Sequence, residues 1–187
     1  MTRPAHEQRL FDLIKSRSFA TGDFTLASGK KSNLYFNMKP TMMTAEGSHL
    51  CARAFFERLA AANIDYVGGL EMGAVPIAAA TAAYSFTQGK PIAAFFVRKK
   101  AKEYGAKQLV EGLAPGESIA GKRVAIAEDV TTTGGSALQA IQAARDSGAI
   151  VDLLISILDR EEGAADLLRE NGVTLTSVFS ASDFVTR

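Results

Sequence analysis

Apolar positions change rhythm several times along the chain, and each change marks an element. Between about Pro4 and Arg17, Leu10, Phe11, Leu13 and Ile14 form one stripe at helical spacing, which predicts a first helix. From Phe19 to Pro40 that rhythm is lost. Phe24-Thr25-Leu26 and Leu34-Tyr35-Phe36 read as short strands separated by Ser28-Gly29-Lys30-Lys31, a small unit outside the main sheet. Thr44 is placed to cap a helix running to about Ala62, with Leu50, Ala54, Phe55 and Leu59 on its apolar face.

Beyond that point strands and helices alternate. Tyr66 to Gly69 reads as a strand, Val75 to Phe86 as an Ala-rich helix and Pro91 to Val97 as a wholly apolar strand. A polar stretch, 98–121, is too long for a plain connector. Arg123 to Ala127 is a further buried strand, followed by a helix from about Gly135 to Ser147. A strand over Ile150 to Leu158, a helix over Ala164 to Glu170 and a last strand over Val173 to Val178 complete the pattern. Continuous apolar strands alternating with helices predict an α/β fold, a doubly wound parallel sheet with flanking helices. No repeat period is visible, which excludes a solenoid. The expected organisation is one domain over 1–187. Its N-terminal hood spans 1–43, and its α/β core spans 44–187 with a mobile loop at 98–121.

Composition narrows the function classes. The formal net charge is +1, from 21 Lys and Arg against 20 Asp and Glu, which argues against a general nucleic-acid or membrane-surface binder. The sum hides an asymmetry: residues 1–107 carry 15 basic and 8 acidic side chains, whereas 108–187 carry 6 and 12. Five basic residues fall between Arg98 and Lys107, beside the single acid Glu103. No apolar run approaches the ~20 residues of a membrane span. The start, Met1 to Glu7, has no apolar signal core, and Cys51 is the one cysteine; both predict a cytoplasmic protein without disulfides.

The candidate chemistry centres on Val124-Ala-Ile-Ala-Glu128-Asp129-Val130-Thr131-Thr132-Thr133-Gly134-Gly135-Ser136. A buried strand ends in two carboxylates, and a hydroxyl- and glycine-rich turn then opens a helix. Such a turn aims backbone N–H groups and the positive end of the helix dipole at one point, which suits phosphate. Two carboxylates suit the hydroxyls of a ribose, or a Mg²⁺ bound to the same ligand. Together they indicate a sugar phosphate. Neither a G-x-x-x-x-G-K-[ST] nor a G-x-G-x-x-G motif is present. The plainer alternative is a capped helix with a solvated threonine turn.

This strand-acid-acid-x-x-Thr-x-Gly-Gly-Ser text resembles the ribose-5-phosphate signature of type I phosphoribosyltransferases, which use phosphoribosyl pyrophosphate (PRPP). Three further segments resemble the orotate phosphoribosyltransferase family within that group. They are Phe24 to Ser32 followed by Tyr35-Phe36-Asn37, Val97 to Gly105, and Leu158-Asp159-Arg160-Glu161-Glu162-Gly163. The resemblance covers nearly the whole chain, in order. It implies Mg²⁺-dependent transfer of ribose 5-phosphate from PRPP to orotate, giving orotidine 5′-monophosphate and pyrophosphate in pyrimidine synthesis.

By that resemblance the catalytic residues are Lys102, Arg98, Glu128 and Asp129. PRPP contacts fall on Arg98, Lys99, Lys102, Tyr104, Glu71, Met72, Glu128, Asp129 and the turn Val130, Thr131, Thr132, Thr133, Gly134, Gly135 and Ser136. Orotate contacts fall on Thr132, Arg160, Tyr35 and Phe36. No side chain ligates Mg²⁺ directly; Glu128 and Asp129 reach it through water. The family's 98–107 loop enters the partner subunit's site, implying a homodimer. Three positions depart from many relatives: Ala27 and Met72 stand where lysines occur, and Tyr104 where histidine occurs. A cis bond at Leu70–Glu71 is a further expectation.

The remaining residues carry bland readings. Arg160 alternatively makes a surface ion pair with Glu161 or Glu162, and Tyr35 and Phe36 alternatively pack a hood strand. His6 and His49 read as helix-surface residues without partners at metal spacing. Cys51 reads as a small buried hydrophobe, and Met38, Met42 and Met43 as core or hood filling. Two other functions stay open: the same transfer to a purine base, and a non-catalytic PRPP-sensing regulator.

Overall fold

A computed structural model describes residues 3–25, 31–100 and 109–185. The first helix, α1 (Ala5–Arg17), carries Glu7 in its first turn and Lys15 and Arg17 in its last, matching the helix dipole. It buries Leu10 and Ile14 completely. Strands β1 (Phe19–Thr25) and β2 (Lys31–Phe36) pair antiparallel as a separate two-stranded ribbon. A short helix, α2 (Lys39–Met42), then leads into α3 (Ala45–Ala61). There the Thr44 hydroxyl accepts a hydrogen bond from the Gly47 N–H at 3.0 Å, the expected N-cap.

The main sheet is built from β3 (Tyr66–Gly68), β4 (Ala93–Ala94), β7 (Arg123–Thr131), β8 (Ile150–Asp159) and β9 (Thr174–Ser180). Their spatial order is β4-β3-β7-β8-β9, all parallel. Helix α4 (Ala74–Thr87) connects β3 to β4, while α5 (Gly135–Asp146) and α6 (Ala164–Glu170) connect β7, β8 and β9. Alternate strand residues feed two cores. Ala125 and Ala127 pack with α1, α3 and α4, and Val124 and Ile126 pack with α5 and α6. The chain runs one way from β3 to β4 and the other way from β7 onward. A topological switch point therefore lies between β3 and β7, where open α/β sheets bind ligands.

Two strand assignments change. The apolar run 91–97 is not one strand. It is interrupted at Phe95 between β4 and β5 (Phe96–Val97); β5 stays alongside the residues after β3, the Val97 N–H donating to the Gly69 carbonyl at 2.8 Å, and also pairs antiparallel with β6 (Val110–Glu111). Apolar content alone does not reveal a second partner. Strand β7 also runs beyond Ala127 to Thr131, because its ladder to β8 continues through Val130↔Leu158 and Thr131↔Asp159. Met38 and Met42 are buried as expected, but Met43 is 72% exposed and fills no core. Cys51 is buried, and desolvation pushes its thiol pKa up to about 12. No helix among the described residues is long and apolar enough to cross a membrane.

Just past β3, Gly69 packs tightly against β7 and α4: an added Cβ would lie 2.2 Å from the Ala127 carbonyl oxygen and 2.7 Å from the Ala74 Cβ. Gly69→Ala must therefore spread the switch point and is expected to cost roughly 2 kcal/mol. Gly135→Ala, where the new methyl meets nothing within 4 Å, is expected to leave stability nearly unchanged. Urea unfolding of both variants checks the contrast.

Candidate active site

The site assembles at the carboxyl ends of β3, β7 and β8. Glu128 and Asp129 are consecutive residues of β7, so their side chains leave opposite faces of the sheet. Glu128 points toward α5, where its Oε1 accepts a hydrogen bond from the Ser136 hydroxyl at 3.1 Å. It is only 5% exposed, and burial pushes its pKa up to about 7. The neighbouring Asp129 charge adds to the rise, while the Ser136 bond and the Lys99 charge oppose it. Asp129 faces the other way. Its Oδ1 accepts from the Val130 N–H at 2.9 Å, and its Oδ2 lies 3.8 Å from Lys39 Nζ.

After β7 the chain turns through Thr132 and Thr133 into α5, with Gly134 at the N-cap in a left-handed conformation (φ 87°). No side chain caps this helix, which leaves its first-turn N–H groups free to meet an anion. Thr131 is 2% exposed, and its hydroxyl has no hydrogen-bond partner in the described structure. These features fit a phosphate cradle at 131–136.

Arg160 follows β8 and is drawn to the end of β7 by its N–H, which donates to the Thr131 carbonyl at 2.9 Å. Its Nε pairs with Glu162 at 2.8 Å, and its Nη2 donates to the Ser32 hydroxyl of β2 at 3.0 Å. The guanidinium also lies 5.9 Å from the centroid of the Phe36 ring. The ion pair with Glu162 exists, but the Arg160 side chain is only 8% exposed, so this is not a solvated surface pair. Glu161 is engaged elsewhere, accepting from the Ser182 N–H.

A cavity of about 370 Å³ opens between the ribbon and the end of β7. It brings together Tyr35, Phe36, Thr132 and Arg160 with Asp129 and Lys39. All four residues expected around the planar base thus line one pocket. Tyr35 is 42% exposed and stacks on Phe24 with centroids 5.1 Å apart, whereas Phe36 is buried against Phe19 and Phe184. A second cavity, of about 410 Å³ beside the C-terminal half of α5, is lined by Glu117 and Asp146 but by no cationic side chain.

Glu71, Met72, Arg98 and Lys99, expected on the pyrophosphate side, do not line this pocket. Glu71 stands in the loop after β3; its N–H donates to the Val97 carbonyl at 2.8 Å, and its Oε1 accepts from the Lys99 N–H at 3.0 Å. Met72 is 62% exposed. The cis bond is Glu71–Met72 rather than Leu70–Glu71; Leu70 instead bridges in parallel to Val97 and continues the sheet by one residue. Arg98 is turned onto the β5–β6 ribbon, 3.5 Å from Glu111, with its Nε donating to the Lys100 carbonyl. Lys102 and Tyr104, together with Ala27 and Lys30, lie outside the described residues.

Three contributions escaped the sequence reading. Lys39 follows a strand and precedes Pro40, so by sequence it is an ordinary surface lysine. Ser32 lies in the 24–32 segment, and its partner is set only by the fold, where β2 meets Arg160. His6 does have spatial neighbours at metal spacing, since its ring nitrogen and carboxylate oxygens of Glu7 and Glu57 lie within 4.8 Å of one another. Those carboxylates are already paired, with Arg58 and with Arg53.

Comparison with known proteins points to the same chemistry. The phosphoribosyl transferase domain family matches residues 42–172. The orotate phosphoribosyltransferase of Rhodopseudomonas palustris (strain BisB5) is 54% identical over 187 residues, covering 100% of both chains. The Mycobacterium tuberculosis H37Rv orotate phosphoribosyltransferase solved with Fe(III) dicitrate superposes with a TM-score of 0.84 at 34% identity, covering 97% of this chain and 99% of that one. The same enzyme solved with PRPP superposes with a TM-score of 0.78 at 32% identity, covering 96% and 98%. With a full-length relative at this identity and an uncapped anion turn beside a base-sized pocket, the chain belongs to the orotate phosphoribosyltransferase family.

Proposed function

We propose that the protein transfers ribose 5-phosphate from PRPP to N1 of orotate, releasing orotidine 5′-monophosphate and pyrophosphate in pyrimidine synthesis. The observation that carries this reading is the single pocket joining Tyr35, Phe36, Thr132 and Arg160 to Asp129, beside the uncapped N-terminus of α5. The turn 131–136 takes the 5-phosphate through backbone N–H groups and hydroxyls. Asp129 accepts the ribose hydroxyls. Glu128, on the other face of β7, sets the charge beneath them. Arg160 holds the orotate carboxylate with the N–H groups that Glu162 and Ser32 leave free, and Tyr35 and Phe36 cover the ring.

In the reaction the C1–oxygen bond to pyrophosphate breaks, the N1–C1 bond forms, and N1 loses its proton. No enzyme nucleophile is required. The chain positions the two reactants and neutralises charge as pyrophosphate departs, a task for Arg98, Lys99, Lys102 and the 71–73 loop with Glu71 and Met72. By the family resemblance Tyr104 shares this task. Glu128 and Asp129 are hard oxygen donors suited to Mg²⁺. Because the two carboxylates leave opposite faces of β7, we infer an ion held mainly by substrate oxygens, with water between it and the carboxylates. When bound, Mg²⁺ supplies positive charge to the pyrophosphate. We further infer a cytoplasmic homodimer in which the 98–107 loop closes over the partner's site; the marked basic excess of that loop supports a role against a polyanion. Arg160 and the aromatic hood favour orotate over a purine base.

Incubating the protein with PRPP, Mg²⁺ and orotate should consume orotate absorbance. Unchanged orotate alongside turnover of adenine, guanine or hypoxanthine would overturn the base assignment. Arg160→Ala is expected to raise the KM for orotate about tenfold or more while shifting that for PRPP much less; equal losses would contradict its role. Lys102→Ala should lower kcat by roughly two orders of magnitude with the fold intact. Mixing Lys102→Ala with Asp129→Asn subunits should restore part of the activity, and the absence of rescue would count against sharing between subunits.

Glu128 gives a pH test. Its folded pKa lies above its unfolded value, so the folded state binds more protons than the unfolded chain between pH about 4.5 and about 7. Stability must then fall as pH rises through that window. Glu128→Gln, which keeps an acceptor for Ser136, removes that loss. Its melting temperature relative to wild type is expected to climb from pH 4.5 to pH 8, by on the order of 2–3 kcal/mol of stability. A pH-independent difference would refute the buried, raised carboxyl.

A further inference from the structure

Lys39 lies outside every sequence motif, yet it stands on the rim of the base pocket. It opens α2, just after the ribbon, and its Nζ is 3.8 Å from Asp129 Oδ2. The lysine side chain is 59% exposed and that of Asp129 15%. So exposed a lysine has no packing duty, and α2 is anchored instead by the buried Thr41 and Met42. The other cation of the pocket, Arg160, is committed to Glu162 and Ser32. Asp129 is therefore gripped from two sides, one oxygen by the Val130 N–H and the other by Lys39.

We propose that Lys39 is a positioning residue for the ribose-side carboxylate: it holds Asp129 turned into the pocket, ready for the hydroxyls of an anionic sugar phosphate. This rests on the assignment of the pocket to PRPP and orotate. A lysine suits the task because its compact charge, on a flexible stem, can follow the carboxylate as a substrate arrives.

The experiment combines PRPP binding by calorimetry in the presence of Mg²⁺ with steady-state kinetics, on the full-length wild type, Lys39→Ala, Lys39→Arg, Asp129→Asn and the Lys39→Ala/Asp129→Asn double variant. Lys39→Ala is expected to weaken PRPP binding about two- to fivefold, the range of a partly exposed ion pair, and to raise the PRPP KM in step. The orotate KM should stay within about twofold, and Lys39→Arg should restore wild-type binding. In the Asp129→Asn background, Lys39→Ala should add less than about a twofold effect, because its route is already removed. Unchanged PRPP binding in Lys39→Ala overturns the inference. So do losses that multiply in the double variant, or a rise confined to the orotate KM, which would assign Lys39 to the base itself. Wild-type protein that binds PRPP but converts no orotate overturns the functional reading alone, since the binding comparison still decides Lys39; wild-type protein that binds no PRPP overturns both.

Discussion

Two acidic residues at the end of one β-strand cannot face the same way, and the organisation of the site follows from that constraint. Glu128 is sent under the α5 turn, where burial raises its pKa and Ser136 provides a hydrogen bond. Asp129 is sent into the pocket between the ribbon and the sheet. Had β7 ended at Ala127, both acids would have belonged to a turn and could have pointed together. The extra strand residues divide them, so one carboxylate sets the charge of the cradle and the other meets the open pocket.

The placement of this strand end depends on the switch point. Strand β3 departs toward β4 and β7 departs toward β8, opening a crevice into which the loops after both strands must fit. The tight approach at Gly69 brings the 71–73 loop alongside Asp129: a Cβ on Gly73 would stand 2.6 Å from Asp129 Oδ1. The β5–β6 ribbon rises from the same edge. Its base is tied to the crevice where the Lys99 N–H meets Glu71 and the Lys99 carbonyl receives a 3.4 Å hydrogen bond from Gln139. The near-neutral total charge of the chain conceals a basic run at 98–107 and an acidic pair at 128–129.

The fold was largely legible because its signals are local. Helical stripes, the Thr44 cap and continuous apolar strands each depend on residues a few positions apart. What escaped were strand partners: the second, antiparallel partner that β6 gives to Phe96 and Val97, and the continuation of β7, which exists only because β8 supplies a ladder to Thr131. The site was legible where chemistry is written contiguously, as in 128–136. Lys39 and Ser32 were invisible as functional residues, since a lysine before a proline and a serine in a hood strand carry no distinguishing pattern.

The sequence by itself determined the α/β class, the order of the helices and strands and the residue types able to hold a sugar phosphate, because periodicity and motif spacing are properties of neighbouring residues. The tertiary structure alone decided which of those residues meet. It set Arg160 against Ser32 across 128 positions of chain, paired Lys39 with Asp129, and gave two adjacent acids opposite surroundings. The physical reason is that burial, charge pairing and pKa depend on distance in space, and strand pairing creates that proximity between residues far apart in the chain.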